Sequence, residues 1–501
     1  MDGFIIFFQQ LIALLNPMVI ILMFISTTLG ILIGALPGLT ATMGIALLTG
    51  LTFRATDVQS FTVLMGIYVG GIYGGSLSAI LLNVPGTASA AATAIEGHKL
   101  SLKGEAENAI IATRTASIIG TVIGMLALLI VTPLLTKIAL SFTSPEYFML
   151  ALFGVLICGS IGGKDLVIKG WIAGLLGLFF AIIGQDDIFS IPRFMYGNSN
   201  LLGGIQIIPA MIGFYAIPEV IKAFTGQSEI NNDDVFVSNA PRRKMFPIMK
   251  KSLRTIIQSA LIGVGIGSLP GVGEDVAAWV AYDTSKKTSK HPEEYGNGSW
   301  EGVVAPEVGN NAAIGGALIP LLTLAVPGSP PAAVLLGAFL LHGIRPGPML
   351  TTEFPNFIYM MAALILLGVF CMWIVGLLIA KPMSKILKIN PVYLMPVVAA
   401  LSIIGAFAIN LNFFDLVIVF LFGILGYFLD KMGYSPAPIV LGLILGRLID
   451  DNFRRTLVVH NGSFMAFITR PISLLFLVII IITIVRQIMN SKKTRNNTKV
   501  G

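Results

Sequence analysis

Three acids stand in stretches whose neighbours are mostly glycine, alanine and branched aliphatics. Glu274 and Asp275 directly follow the turn Gly271-Val-Gly273, and Glu307 comes just before Asn310 and Asn311. A carboxylate at membrane depth costs roughly 2.5 to 3.5 kcal/mol on insertion scales, so acids there usually line a pathway. Such a group takes a proton or holds a cation such as sodium. Glu274, Asp275 and Glu307 are therefore candidates for ion coupling.

A second set of residues suits the opposite charge. Leu36-Pro37-Gly38 and Leu269-Pro270-Gly271 interrupt apolar segments, because proline lacks a backbone donor and glycine tolerates unusual dihedrals. A helix that restarts after such a break presents unpaired N–H groups and the positive end of its dipole, which suits an anion. Hydroxyls follow directly: Thr40 and Thr42 after Gly38, and Thr87 and Ser89 after Val84-Pro85-Gly86. The candidate carboxylate site is Gly38, Thr40, Thr42, Asn83, Gly86, Thr87, Ser89, Gly271, Gly273, Asn310, Asn311, Gly328 and Ser329. The bland alternative is that small residues let helices pack closely and the amides bond from helix to helix.

The elements that must hold these residues are transmembrane helices. Of 501 residues, 55% are hydrophobic and only 11% charged, and the mean hydropathy of +0.88 excludes a soluble globular chain. Apolar runs over 109–135, 166–184, 357–380, 392–409, 413–428 and 472–485 are long and continuous rather than alternating, which argues for helices against a barrel. With the glycine-interrupted segments included, about 10 to 12 crossings are expected. The fold class is an all-α polytopic membrane protein. Cys158 and Cys371 both lie in apolar runs and read as buried thiols. Met1 to Gln10 carries no Lys or Arg, so a cleaved signal peptide is not expected.

The chain also repeats itself. Gly34-Ala-Leu-Pro-Gly38 returns as Gly267-Ser-Leu-Pro-Gly271. Gly74-Gly75 leading to Val84-Pro-Gly-Thr87 returns as Gly315-Gly316 leading to Val326-Pro-Gly-Ser329, and Glu96-Gly-His-Lys99 returns as His342-Gly-Ile-Arg345. Three echoes in one order predict two related halves, 1–226 and 255–470, joined by a basic linker at 227–254 and followed by a final helix and tail at 471–501. The net charge of +7 gathers at Arg242, Arg243, Lys244, Lys250, Lys251 and Arg254, and again at Arg486, Lys492, Lys493, Arg495 and Lys499. Both clusters belong on the cytoplasmic side, and neither calls for nucleic acid. No Lys or Arg precedes Arg54, which puts the N-terminus outside the cytoplasm. The halves would then be inverted repeats with broken helices.

Long motifs carry a resemblance. Gly70-Gly-Ile-Tyr-Gly-Gly-Ser-Leu-Ser-Ala-Ile-Leu-Leu-Asn-Val-Pro-Gly86, Gly267-Ser-Leu-Pro-Gly-Val-Gly-Glu-Asp-Val-Ala-Ala-Trp-Val-Ala-Tyr282, Glu301-Gly-Val-Val-Ala-Pro-Glu307 and Leu341-His-Gly-Ile-Arg-Pro-Gly347 resemble the large membrane subunit of the tripartite tricarboxylate transporter family. The resemblance spans nearly the whole chain. It implies a secondary transporter in a bacterial cytoplasmic membrane that imports citrate-like tri- or dicarboxylates on a proton or sodium gradient. It also implies two partners, a small membrane subunit of four helices and an extracytoplasmic solute-binding protein. No cofactor is implied beyond the coupling ion.

Two rivals remain at this stage. An intramembrane enzyme would want clustered acids on a metal, and Asp450-Asp451 before Asn452-Phe-Arg-Arg455 is the nearest approach, read here as a surface loop, as is Asp186-Asp187. His98, His291, His342 and His460 lack ligand spacing. A passive anion channel shares the same composition.

Overall fold

Helices dominate the computed structural model, which describes residues 2–36, 38–161, 167–186, 188–225, 245–386, 393 and 395–497. Pro37, Leu166, Asp187, most of the linker with Arg242, Arg243 and Lys244, Val392, and Lys499 lie outside the described residues, as do the side chains of Cys158, Arg486, Lys492, Lys493 and Arg495. Among the described residues, 6 helices are long and apolar enough to cross a membrane, and shorter apolar helices accompany them. Two strands of two residues each, Gly184–Gln185 and Pro192–Arg193, pair antiparallel and interrupt the helical pattern. Large side chains such as Phe413, Leu378 and Ile168 point outward, as expected for lipid-facing surface. The chain is a multi-pass helical membrane protein.

Most apolar runs become helices close to their expected bounds, including Ala106–Ala139, Val167–Ala181, Met395–Asn410 and Phe413–Lys431. The end of the linker differs. Lys250 and Lys251 close a short helix, Met245–Lys251, and Arg254 already belongs to the helix Leu253–Gly267. Polar caps start several elements, since the first N–H groups of a helix need acceptors. Asn16 accepts from the Val19 N–H (2.9 Å), and Thr56 forms a capping box with Gln59 at the head of Asp57–Leu82.

At the centre lie Asp57–Leu82 and Trp300–Leu324, both buried along most of their length. Glycines set their packing. Along Pro17–Ala35, Gly30 and Gly34 lie so close to the backbones of Ile67 and Gly71 that a Cβ would collide with those carbonyls. Gly263 and Gly267 approach Gly309 and Ala313 in the same manner. Each central helix ends on a left-handed residue, Asn83 with φ of 55° and Ala325 with φ of 56°. The chain then doubles back. Gly86 N–H donates to Gly75 O (3.4 Å) and Gly328 N–H to Ala317 O (3.3 Å), while a Cβ on either glycine would strike the carbonyl of Gly34 or Gly267. A new helix follows in each case, Ala90–Leu102 and Pro330–Leu341.

Direction can be read from these contacts. Thr87 lies against Gly75 and Gly97 against Ile80, so Ala90–Leu102 runs along with Asp57–Leu82. Thr93 meets Glu307, Glu96 meets Gly302 and Leu100 meets Gly298, so the same helix runs against Trp300–Leu324. The two central helices therefore run in opposite directions.

Glu96 is fully buried and ties Ala90–Leu102 to Tyr282 and the loop before Trp300–Leu324. Its carboxylate accepts from the Tyr282 hydroxyl (2.7 Å) and from the N–H groups of Gly296, Gly298 (2.8 Å) and Ser299 (2.9 Å). Lys99 and Lys103 bond to the carbonyls of Gly296 and Asn297 on the same loop.

Candidate functional site

The break after Pro17–Ala35 sets the first wall of a cavity. Leu36 is extended, Gly38 takes a φ of +85°, and Thr40 caps the helix Ala41–Thr52 by accepting from the Met43 N–H (3.2 Å). Only glycine adopts such a φ readily, and a Cβ here would lie 2.9 Å from Glu219 Oε2. The corresponding break in the second half places Gly271 and Gly273 at φ of 72° and 69° and starts the helix Gly273–Thr288, which carries Glu274 and Asp275 in its first turn.

These two breaks open onto one cavity of about 280 Å³, lined by Gly38, Thr40, Thr42, Thr87, Glu274 and Asp275 together with Tyr215, Glu219, Lys222 and Asp430. It is smaller than the ~300–1,000 Å³ of drug-sized pockets, which suits a small metabolite. Residues of both halves meet at its wall. The Ser89 N–H donates to Asp275 Oδ1 (2.9 Å), so an acid of the second half sits at the start of a first-half helix. Thr87 Oγ1 accepts from the Ala90 N–H (3.3 Å) and pairs with Ser89 Oγ (3.0 Å). In the second half, Ser329 Oγ accepts from the Ala332 N–H at the same 3.3 Å. The buried Tyr68 hydroxyl links Ser329 Oγ (3.1 Å) to Glu274, to which it donates.

Other candidates fall elsewhere. Asn83 caps its helix away from the cavity, Gly86 and Gly328 serve the close backbone approach, and Gly271 and Gly273 contribute backbone only. Glu307 is buried between helices, accepting from Thr93 (2.6 Å), Ser117 (2.9 Å) and Ser76 (3.3 Å). Asn311 donates to Ser117 Oγ (3.0 Å) and to Glu307 O (2.9 Å). Asn310 is also buried, and its Oδ1 has no hydrogen-bond partner among the described residues. Neither amide lines the cavity, and the helix-to-helix role fits Asn311, whose bond to Ser117 crosses from one helix to another.

Three charged cavity residues escaped the sequence reading. Lys222 bonds Glu219 Oε1 (2.7 Å) and Asp430 Oδ2 (2.8 Å), bringing the ends of Ile207–Phe224 and Phe413–Lys431 together. Glu219 and Lys222, three apart just after Pro218 in an apolar helix, were the available signal. Arg114, buried within Ala106–Ala139, was missed as well.

Asp450 and Asp451 lie inside the helix Pro436–Val459 rather than in a loop. Their carboxylates and that of Asp186 come within 4.8 Å of one another, but arginines bridge them. Arg193 pairs with Asp450 (2.8 Å), and Arg454 pairs with Asp186 (3.1 Å) and Asp450 (3.0 Å). Burial works to raise the Asp186 carboxyl, yet the N–H bonds of Phe189 and Ile188 and the two guanidiniums outweigh it and hold it below its ordinary value. Such a cluster braces the strand pair against the side of Pro436–Val459, with the carboxylates taken up by arginines.

Comparison with known proteins decides the family. Residues 20–441 match the family described as "Tripartite tricarboxylate transporter TctA family". The chain belongs to the TctA family. Within Agrobacterium vitis, the uncharacterized 52.8 kDa protein in the TAR-I ttuC' 3' region is 35% identical over 484 residues, covering 96% of each chain. A second relative there, an uncharacterized protein in the TAR-II ttuC' 3' region, is 36% identical over 232 residues, which is 46% of this chain and 96% of that one. No solved structure matches this TctA chain.

Proposed function

We propose that this chain is the membrane subunit of a secondary transporter that imports citrate-like tri- or dicarboxylates on a cation gradient. The observation that carries the reading is the bond from Ser89 N–H to Asp275. It sets a titratable acid that lines the small cavity beside the start of the helix Ala90–Leu102, where Thr87 lines the same cavity and Ser89 bonds to it from behind. Helix N-termini and hydroxyls suit substrate carboxylates, while Asp275 or Glu274 takes the coupling proton or sodium ion. A solute-binding protein outside the cytoplasm delivers the substrate, and a small four-helix subunit completes the complex.

In this reading the halves are inverted repeats and the breaks at Gly38 and Gly271 lie within the membrane. What supports the inversion is the opposite direction of Asp57–Leu82 and Trp300–Leu324 together with their matched ends at Asn83 and Ala325. The linker and the C-terminus face the cytoplasm of a bacterial cell, as their basic residues require.

The test is uptake into proteoliposomes that hold the chain with both partners, using a panel of carboxylates and imposed proton or sodium gradients. Accumulation above equilibrium supports the reading. Equilibration without accumulation would mean a passive anion channel, and a chemically altered substrate would mean an enzyme. Asp275→Asn should abolish accumulation and keep exchange, which needs no net ion movement. If Asp275→Asn and Glu274→Gln both accumulate like wild type, coupling lies elsewhere and Glu307 is tested next.

A further inference from the structure

We infer that Glu219 is a tethered stand-in for a substrate carboxylate, holding Lys222 and covering Gly38 until the transported anion takes both places. This inference rests on the carboxylate reading above. Lys222 is the one cation among the described residues that line the cavity. Four acids face the same space: Glu219 on its own helix, Asp430 across the mouth, and Glu274 and Asp275 on the far wall. With all of them ionised, an entering anion meets repulsion everywhere except at Lys222. That ammonium is already held on two sides, by Glu219 at 2.7 Å and Asp430 at 2.8 Å.

One of the two must withdraw, and their positions differ. The Asp430 side chain is 41% exposed at the mouth, while that of Glu219 is 23% exposed and reaches inward. The two oxygens of Glu219 do different things. Oε1 holds Lys222, and Oε2 lies where a Cβ on Gly38 would meet it at 2.9 Å. A protein carboxylate thus spans from the cavity's cation to the bare backbone of the break that leads into Ala41–Thr52. A free carboxylate of the same shape would find the same two partners. Glu219 and the substrate then compete for one place, and substrate entry swings Glu219 away.

Competition makes the two members of the ion pair respond oppositely, which a purely structural pair would not. Glu219→Gln removes the competitor and leaves the cation. Lys222→Gln removes the cation. The experiment is calorimetric titration of the purified full chain in lipid nanodiscs with citrate, succinate, malate and tartrate, with thermal melting as the folding check. If wild type binds none of these, the carboxylate reading fails and this inference fails with it. Where wild type binds, Glu219→Gln should tighten binding about tenfold, Lys222→Gln should weaken it about tenfold or more, and Lys222→Arg should keep most of it, as befits one charge-assisted hydrogen bond. Unchanged or weaker binding in folded Glu219→Gln overturns the inference, as does wild-type binding in Lys222→Gln. Should Lys222→Gln fail to fold, Glu219→Gln alone decides, because loss of a structural tie does not raise affinity.

Discussion

Thr42 and Thr87 carry the clearest test of the anion chemistry, since both line the cavity and both keep their shape when changed to valine. Thr87 also accepts the Ala90 N–H, so its loss leaves the first turn of Ala90–Leu102 short of a partner as well as the substrate short of a donor. The double variant Thr42→Val, Thr87→Val should weaken carboxylate binding by about 1 to 3 kcal/mol while the protein stays folded. Titration of the double variant checks this, and wild-type affinity would move the site away from these helix starts. At this scale the sequence was readable where one residue type does one thing: hydroxyls after Pro-Gly, and acids after a glycine turn. It was silent where charge sits at helix ends. Glu219, Lys222 and Asp430 resemble the solvated charges that flank any membrane helix, and only the packing of Ile207–Phe224 against Phe413–Lys431 turns them into a cavity. The first break lacks an acid in its own sequence, yet Glu219 supplies one from another helix.

At the scale of elements, glycine has two separable roles in this chain. Gly34 lies against the Gly71 carbonyl with no space for a side chain, whereas Gly265, in Leu253–Gly267, has nothing within 4 Å of its absent Cβ. Gly34→Ala must push Pro17–Ala35 off Asp57–Leu82, a strain of about 1–3 kcal/mol or more. Gly265→Ala only removes a flexible residue from a helix and should be neutral or stabilising, by up to ~1 kcal/mol. Melting of the two variants in detergent should therefore move apart. Equal melting temperatures would deny the tight crossing of these helices. Apolar length predicted which helices exist, because a continuous run has no other stable form in lipid. Their contacts were beyond it, since any Gly-rich helix can pack on any other.

For the whole molecule, the contacts tie particular loops to common ends. His342 meets Asp57 (3.0 Å) at one end, and Lys103 meets the carbonyl of Asn297 (2.6 Å) at another. On the proposed topology, with the basic linker inside, Asp57 would face outward and Asn297 the cytoplasm. Single cysteines at these positions, in a background without Cys158 and Cys371, should react with an impermeant maleimide from opposite sides of the membrane. Labelling of both from one side would reject the inverted arrangement. The echoed Pro-Gly motifs lead to a reading of two related halves, and the charge pattern to one of opposite sense. The contact of Ser89 with Asp275 was not visible, because it joins residues with no shared motif.

Glu96 has a consequence for biosynthesis. Its four donors all come from Tyr282 and the loop 296–299, yet the residue itself is made long before they are. While the ribosome is still producing the second half, a carboxylate destined for complete burial has none of its eventual partners. A nascent first half must keep that acid in water or near headgroups, holding Ala90–Leu102 short of its final depth. Final seating of this helix is then a late event that awaits residue 299. A chain stopped at residue 226 should accordingly be cleared by the cell's membrane proteases unless residues 245–501 are supplied as a separate polypeptide. Stable accumulation of the lone fragment in pulse-chase labelling would show that Glu96 finds other partners.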